Sequence, residues 1–358
     1  MTQKEKRQFP VSPEEFTVDW LNAVLVRNQV NATVTDFFVE PIGAGQIADT
    51  FRLNLKTKDK PDKVTLSLVT KLPSKDELAH QTAKRLRFYI RETLFYQKLR
   101  PLINGKVPKC FFADVDMETD DFCIIMEDAS PAQQGDEVKG ATVAETKEFL
   151  KGIAQIHATF WGNPLLAGFD WLNRPHVFEP CDPKLFKQCW DACVMRFSDR
   201  MSKEQLTLGE QFGSILPRWR EPYPGKTTLV HLDFRLDNLL INSDNSLNMI
   251  VDWQLVGEHC GVIDAAYMIG GALPASERRK YEKELAKIYF NELVSAGVKD
   301  YSWDQCWLDY RKYSLWGVMI GVVALSLAKV TDRGNQILLD MAVKHLTQAL
   351  DLDALSLC

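Results

Sequence analysis

The pattern of apolar and polar positions changes once along the chain. In the first third the dominant period is two. Asp36 to Ile42 and Asp49 to Lys56 alternate as strands on either side of a glycine turn, Gly43-Ala44-Gly45, and Val64 to Leu72 alternates Thr, Val and Leu as a third strand. The runs Lys109 to Phe112 and Phe122 to Met126 complete a small sheet, and Ser74 to Leu99 reads as the helix that interrupts it. Ahead of the sheet, Pro13 to Gln29 reads as a helix with Ser12 as N-cap and Pro13 in its first turn. From about residue 140 helical spacing takes over: Thr142 to Trp161, Pro183 to Phe197, Lys203 to Leu216, Ala275 to Ala296, Trp303 to Ala328 and Asp332 to Leu350. One strand–loop–strand insert, Leu229 to Trp253, breaks the helices. The expected class is therefore α+β. Residues 1–35 are a lead-in and helix, 36–128 a small antiparallel sheet with one helix, and 129–358 a mostly helical domain. The hinge is expected between Glu127 and Gly135, where Pro131 and Gly135 break regular structure.

Length and composition narrow the classes. A chain of 358 residues predicts about two domains. Its 46% apolar and 25% charged residues exclude a disordered, collagen-like or low-complexity scaffold. With 43 Lys and Arg against 48 Asp and Glu, the net charge of −5 leaves no basic excess for phosphate backbones, so nucleic acid is not an expected partner. The eight cysteines form no paired C-x-x-C pattern and read as reduced thiols of a cytoplasmic protein. The start, Met1 to Arg7, is polar and reads as no secretory signal. The longest apolar run, Leu315 to Ala328, is shorter than the about 20 residues a membrane span needs and predicts a buried helix.

The chemistry sits in the insert. Leu229 to Ile241 places His231, then Asp233 two residues on and Asn238 five beyond that, between β-type apolar residues. Fourteen residues after Asn238, Met249-Ile250-Val251-Asp252-Trp253 is a short apolar strand ending in a carboxylate. Protein kinases space a His-x-Asp-x4-Asn loop and a following Asp in this way. There the first Asp takes the substrate hydroxyl's proton, and the Asn and later Asp hold Mg²⁺ with hard oxygens. Asp233, Asn238 and Asp252 fit these places. The remaining parts occur in kinase order. Lys71 ends a strand where the phosphate-binding lysine is kept, and Glu92, 21 residues on, is its candidate partner. Gly43 and Gly45 lie where backbone N–H groups cover phosphates. Ile124 to Asp128, with Glu127 and Ala129, lies where adenine meets the backbone between the domains.

These residues resemble the aminoglycoside phosphotransferase and choline kinase superfamily, and within it the ecdysteroid-kinase-like group. The resemblance is carried by His231 to Asn238, by Val251-Asp252-Trp253-Gln254, by Asp264 in Gly261 to Tyr267, and by Gly152 to Trp161, and it runs from about residue 40 to 350. It implies a protein-kinase-like bilobal fold and transfer of the ATP γ-phosphate to a hydroxyl of a small-molecule acceptor, with ATP and Mg²⁺ as cofactors. It implies Asp233 as catalytic base, Asn238 and Asp252 as Mg²⁺ ligands, and Lys71, paired with Glu92, on the α- and β-phosphates. The chain departs from the family at Leu232, where glycine is usual, and in its short glycine turn.

Each motif has a plainer reading. Asp233 and Asn238 also suit a simple turn, Lys71 a strand-end surface lysine, and His157 a satisfied core histidine. Arg235 suits a phosphate contact or a structural ion pair, and Asp264 suits a residue that orients the loop. Trp303, Trp307, Tyr310 and Tyr313 share a helical face that is either core or an aromatic wall for the acceptor. A nucleotide-binding pseudokinase is the alternative function. A protein kinase is disfavoured because no Ala-Pro-Glu follows Asp252 at the usual distance. Aminoglycoside, choline, steroid alcohol and other hydroxylated acceptors remain open.

Overall fold

A computed structural model of the chain describes residues 7–43, 47–173, 182–327 and 332–358. Two compact units are present: residues 1–130 with 251–255, and residues 131–250 with 256–358.

In the first unit, α1 (Val18–Arg27) starts later than Ser12 and Pro13 suggest. Residues Pro13–Glu15 form a single 3₁₀ turn, Phe16 and Thr17 are extended, and the Thr17 hydroxyl accepts the Trp20 N–H to cap the helix. The sheet follows as β1 (Val34–Pro41), β2 (Ala48–Thr57) and β3 (Lys60–Pro73), then β4 (Cys110–Val115) and β5 (Phe122–Glu127). Its order is β1-β2-β3-β5-β4 and every pairing is antiparallel. Leu53, Leu55, Leu68, Leu72 and Ile125 from three strands share a core with Leu21 and Leu25 of α1. The expected single helix from Ser74 to Leu99 is broken in two. Asp76 caps α2 (Glu77–Leu86), and Arg87, at φ +58°, ends it before α3 (Phe88–Leu94), which widens into a π turn over Phe95–Leu99. Left-handed geometry at an arginine leaves no glycine for the sequence to signal.

The second unit is mostly helical. A capping box of Thr142 and Glu145 opens α4 (Val143–Phe160), preceded by the short β6 (Gln133–Gln134). Then come α5 (Asp170–Asn173), α6 (Pro183–Phe197) and α7 (Lys203–Trp219). The insert supplies β7 (Thr228–Val230), β8 (Leu239–Ile241) and β9 (Leu247–Ile250), and β10 (Gly257–His259) follows. β7 pairs with β10, while β6, β8 and β9 form a three-stranded sheet. The chain ends in α8 (Val262–Ala272), α9 (Ala275–Ser295), α10 (Trp303–Tyr313), α11 (Leu315–Leu327) and α12 (Asp332–Asp351). α8 is buried at every position, which explains why no helical period marks it. The helix expected from Trp303 to Ala328 is split at Ser314, whose hydroxyl donates to the Arg311 carbonyl; Ala328 lies outside the described residues. α4 packs against α8, α9, β7 and β9. A Cβ at Gly152 would collide with the Leu247 side chain, so this glycine lets α4 lie close beneath the β8–β9 hairpin. Among the described residues no helix is long and apolar enough to cross a membrane, and all seven cysteines are free.

Candidate active site

In the first unit, three charged residues far apart in sequence meet. Lys71 lies near the end of β3, Glu92 in α3, and Asp252 on the short segment that returns to this unit. The Lys71 ammonium donates to both Glu92 oxygens, at 2.7 and 2.6 Å, and to Asp252 Oδ1 at 2.8 Å. Asp252 has φ +66°, and Trp253 beside it stacks on Phe95 at 4.3 Å between ring centres, nearly parallel. The Trp253 backbone N–H also donates to the Glu92 carboxylate. Burial works against the Lys71 charge, but Asp252 and Glu92 outweigh it and hold the ammonium pKa above its ordinary range. Burial pushes the Glu92 carboxyl up to about 7; Lys71 pulls it down and Asp252 adds to the rise. One ammonium thus faces two carboxyl groups in an oxygen-rich cluster.

Nearby in the same unit, the segment after β5 is fixed from several sides. Glu127 N–H donates to the Lys109 carbonyl at 2.9 Å, and Lys109 N–H donates back to the Glu127 carboxylate at 2.6 Å. The Asp128 carboxylate accepts from Arg52 Nε at 2.7 Å and from Ser130 N–H at 3.0 Å, which brackets Ala129. Gly43 has φ +73° with open space where a Cβ would stand. Gly45 lies outside the described residues.

In the second unit, the loop between β7 and β8 is held by one carboxylate. Asp264 on α8 is fully buried. Its Oδ2 accepts the His231 N–H and its Oδ1 the Leu232 N–H, both at 2.7 Å. His157 Nε2 donates to Asp264 Oδ2 at 3.1 Å, and Tyr289 hydroxyl lies 2.8 Å from His157 Nδ1. A carboxylate only accepts, so Nε2 carries the proton and His157 is a satisfied core histidine. His231 Nδ1 accepts the Asp233 N–H, a structural contact. Leu232 sits at φ +64° with its side chain buried, and its carbonyl accepts Trp316 Nε1–H at 2.9 Å. Leu232 thus holds a left-handed φ, a region that favours glycine, with its N–H and its carbonyl both bonded.

Asn238 projects from a 3₁₀ turn, Leu236–Asn238, and its amide Nδ2 donates to both the Asp233 carbonyl and Asp233 Oδ2 at 2.8 Å. Arg235 Nε lies 3.3 Å from Asp233 Oδ1, and its Nη1 pairs with Asp237 Oδ2. Both Asp233 oxygens thus have a neighbour from the loop itself, and Arg235 is occupied by ion pairs. The aromatic face resolves as packing: Tyr310 and Tyr313 are buried, Trp303 and Trp307 stack, and Lys287 and Lys283 lie over those two indoles. Sequence reading missed Trp316 and Glu137 as supports of the loop. An indole in an apolar helix and an acid in a turn carry no spacing signal.

Residues 39–297 match the phosphotransferase enzyme family, well over half of the chain. No curated protein matches the sequence. Among solved structures, a microcompartment-associated aminopropanol kinase is 14% identical, covering 94% of this chain and 99% of its own, with a TM-score of 0.55. An ethanolamine kinase of Plasmodium vivax is 11% identical, covering 92% of this chain and 86% of its own, with a TM-score of 0.50. The GDP complex of an aminoglycoside 2'-phosphotransferase-IIIa is 12% identical, covering 92% and 99%, with a TM-score of 0.50. At these identities the likeness speaks to the fold, the kinase-like bilobal α+β type. The chain belongs to the phosphotransferase enzyme family.

Proposed function

We propose that this protein transfers the γ-phosphoryl group of ATP to a hydroxyl of a small-molecule acceptor, with Mg²⁺ as its metal. The observation that carries the reading is the ion triad of Lys71, Glu92 and Asp252, assembled from positions 21 and 181 residues apart. Its companion is the His231–Asn238 loop, where an amide and an arginine meet the two oxygens of Asp233 and fix its rotamer.

In this reading Lys71 stays protonated and offsets charge on the α- and β-phosphates, with Glu92 holding its side chain in place. Asn238 and Asp252 would hold the metal. The Asn238 Nδ2 is committed to Asp233, which leaves the amide oxygen as the atom that would serve a metal, and an amide and a carboxylate oxygen suit Mg²⁺. When bound there, the metal would offset negative charge on the nucleotide phosphates. Asp233 accepts a hydrogen bond from the acceptor hydroxyl and takes its proton as the new oxygen–phosphorus bond forms and the bond to the ADP oxygen breaks. Positioning and electrostatics supply most of the rate, because phosphoryl transfer asks little covalent chemistry of the protein. The backbone of Glu127 and Ala129 receives the base, and the backbone at Gly43 covers the phosphates.

A pseudokinase would owe its inactivity to Leu232 or the short glycine turn. The φ of Leu232 supports activity instead, since the loop keeps the geometry a glycine would give. The test is nucleotide diphosphate release from Mg·ATP and Mg·GTP across choline, ethanolamine, 1-amino-2-propanol, an aminoglycoside and a sterol, beside Asp233→Asn. An acceptor that raises release in the wild type alone is the expected result. Equal release by both proteins with every acceptor overturns the assignment of Asp233.

A further inference from the structure

We infer that Gln133 to Glu137 is a positioning clip for the catalytic loop, with Glu137 as its principal contact. This rests on the proposed role of Asp233 and Asn238. The hinge expected from sequence, Glu127 to Gly135, runs into this segment, yet four of its five residues are bonded within one unit to the loop or to β8 directly after it. Gln133 and Gln134 pair with Ile241 and Leu240 of β8, and Gln134 Nε2 donates to the Asp237 carbonyl at 2.6 Å. Gly135 N–H donates to the Leu239 carbonyl at 2.9 Å. Glu137 N–H donates to Asp237 Oδ1, and the Glu137 carboxylate accepts the Leu236 N–H, both at 3.1 Å.

Two features separate this from an ordinary loop contact. Glu137 is buried, only 6% exposed, although a carboxylate at that depth is costly without bonded partners. Gly135 lies so close that a Cβ there would overlap the Leu236 carbonyl oxygen and stand 3.0 Å from its carbon. The bonds converge on Leu236–Asn238, the 3₁₀ turn that aims Asn238 at Asp233, while Asp237, gripped by Glu137 N–H, in turn pairs with Arg235 beside Asp233. The clip touches neither Asp233 nor the Asn238 side chain. It sets the turn from which Asn238 is presented to Asp233.

The test measures Mn²⁺ binding to the full-length protein in the presence of ATP, by the EPR signal of free Mn²⁺. ATP affinity in EDTA and thermal stability are measured alongside. Glu137→Met removes the acceptor and Gly135→Ala forces the segment off the turn; each is expected to weaken Mn²⁺ binding about tenfold while metal-free ATP affinity changes little. Glu137→Gln keeps an acceptor oxygen for Leu236 N–H and is expected to recover most of the loss. Folded Glu137→Met and Gly135→Ala proteins with wild-type Mn²⁺ affinity overturn the clip, as does a Glu137→Gln protein no better than Glu137→Met. Asn238→Ala is run in the same assay. If it binds Mn²⁺ as the wild type does, the metal assignment fails and the clip falls with it; if it loses binding while the clip variants do not, only the clip fails.

Discussion

The Lys71 triad and the His231–Asn238 loop solve the same problem, holding charged groups still, by different means. The triad is held by charge and hydrogen bonds: one ammonium, two carboxyl groups and distances below 3 Å in a partly buried setting. The loop is held by its backbone. Asp264 accepts two consecutive peptide N–H groups, Trp316 donates to the Leu232 carbonyl that follows them, and a leucine keeps a left-handed φ. The first arrangement depends on ionisation and fails when a charge is lost. The second depends on hydrogen-bond geometry and fails when a partner is removed.

The largest expected effect breaks the triad. Lys71→Met is expected to lower turnover on the order of a thousandfold, because the phosphates lose their fixed cation. It also leaves Glu92 and Asp252 facing each other, and Glu92, already pushed up to about 7, relieves the repulsion by taking a proton at low pH. The melting temperature of this variant should therefore fall further below the wild type at pH 8 than at pH 6. A pH-independent difference would mean that the two carboxylates do not repel there.

The loop responds in stability first. Asp264→Ala leaves the His231 and Leu232 N–H groups and His157 without their buried acceptor. At about 1–3 kcal/mol for each unmet group, the melting temperature should drop on the order of 10 °C. A drop within about 2 °C would show that the loop is held elsewhere.

Leu232→Gly sets two terms against each other. Glycine removes about 1 kcal/mol of left-handed strain, but deleting a fully buried leucine costs about 2–5 kcal/mol. The cavity wins, so the variant should be less stable by about 2 kcal/mol in denaturant titration. A more stable variant would put the strain first.

The smallest effect is in pH dependence away from either region. Burial pushes the His345 imidazole pKa down to about 4, from an ordinary value near 6.5. Between those values the unfolded chain binds a proton that the folded chain refuses, so stability is lost as pH falls through this window, by about 2 kcal/mol at pH 5. His345→Gln should lessen the loss between pH 7 and 5. An unchanged slope would mean that His345 does not titrate on unfolding.

How much of this was legible depended on the kind of interaction. Strand alternation marked the sheet, and the spacing of Asp233, Asn238 and Asp252 marked the loop, because period and spacing are properties of the string. Lys71 and Glu92 were found through their order relative to that loop. What escaped notice was made by packing: the left-handed Arg87 that splits the expected long helix, the fully buried α8 with no period, and the break at Ser314. In the site, Trp316 and Glu137 escaped for the same reason. Each acts on a backbone group whose position only the folded chain defines, and Gly135, which read as a breaker, is a close approach to Leu236.

The most direct test of the central claim is ³¹P NMR of the products formed from Mg·ATP and the acceptor that the release assay selects. The account predicts a phosphomonoester resonance growing in step with ADP in the wild type and absent with Asp233→Asn or Asp252→Asn. ADP accompanied only by inorganic phosphate, or a phosphomonoester formed equally by the Asp233 variant, would contradict it.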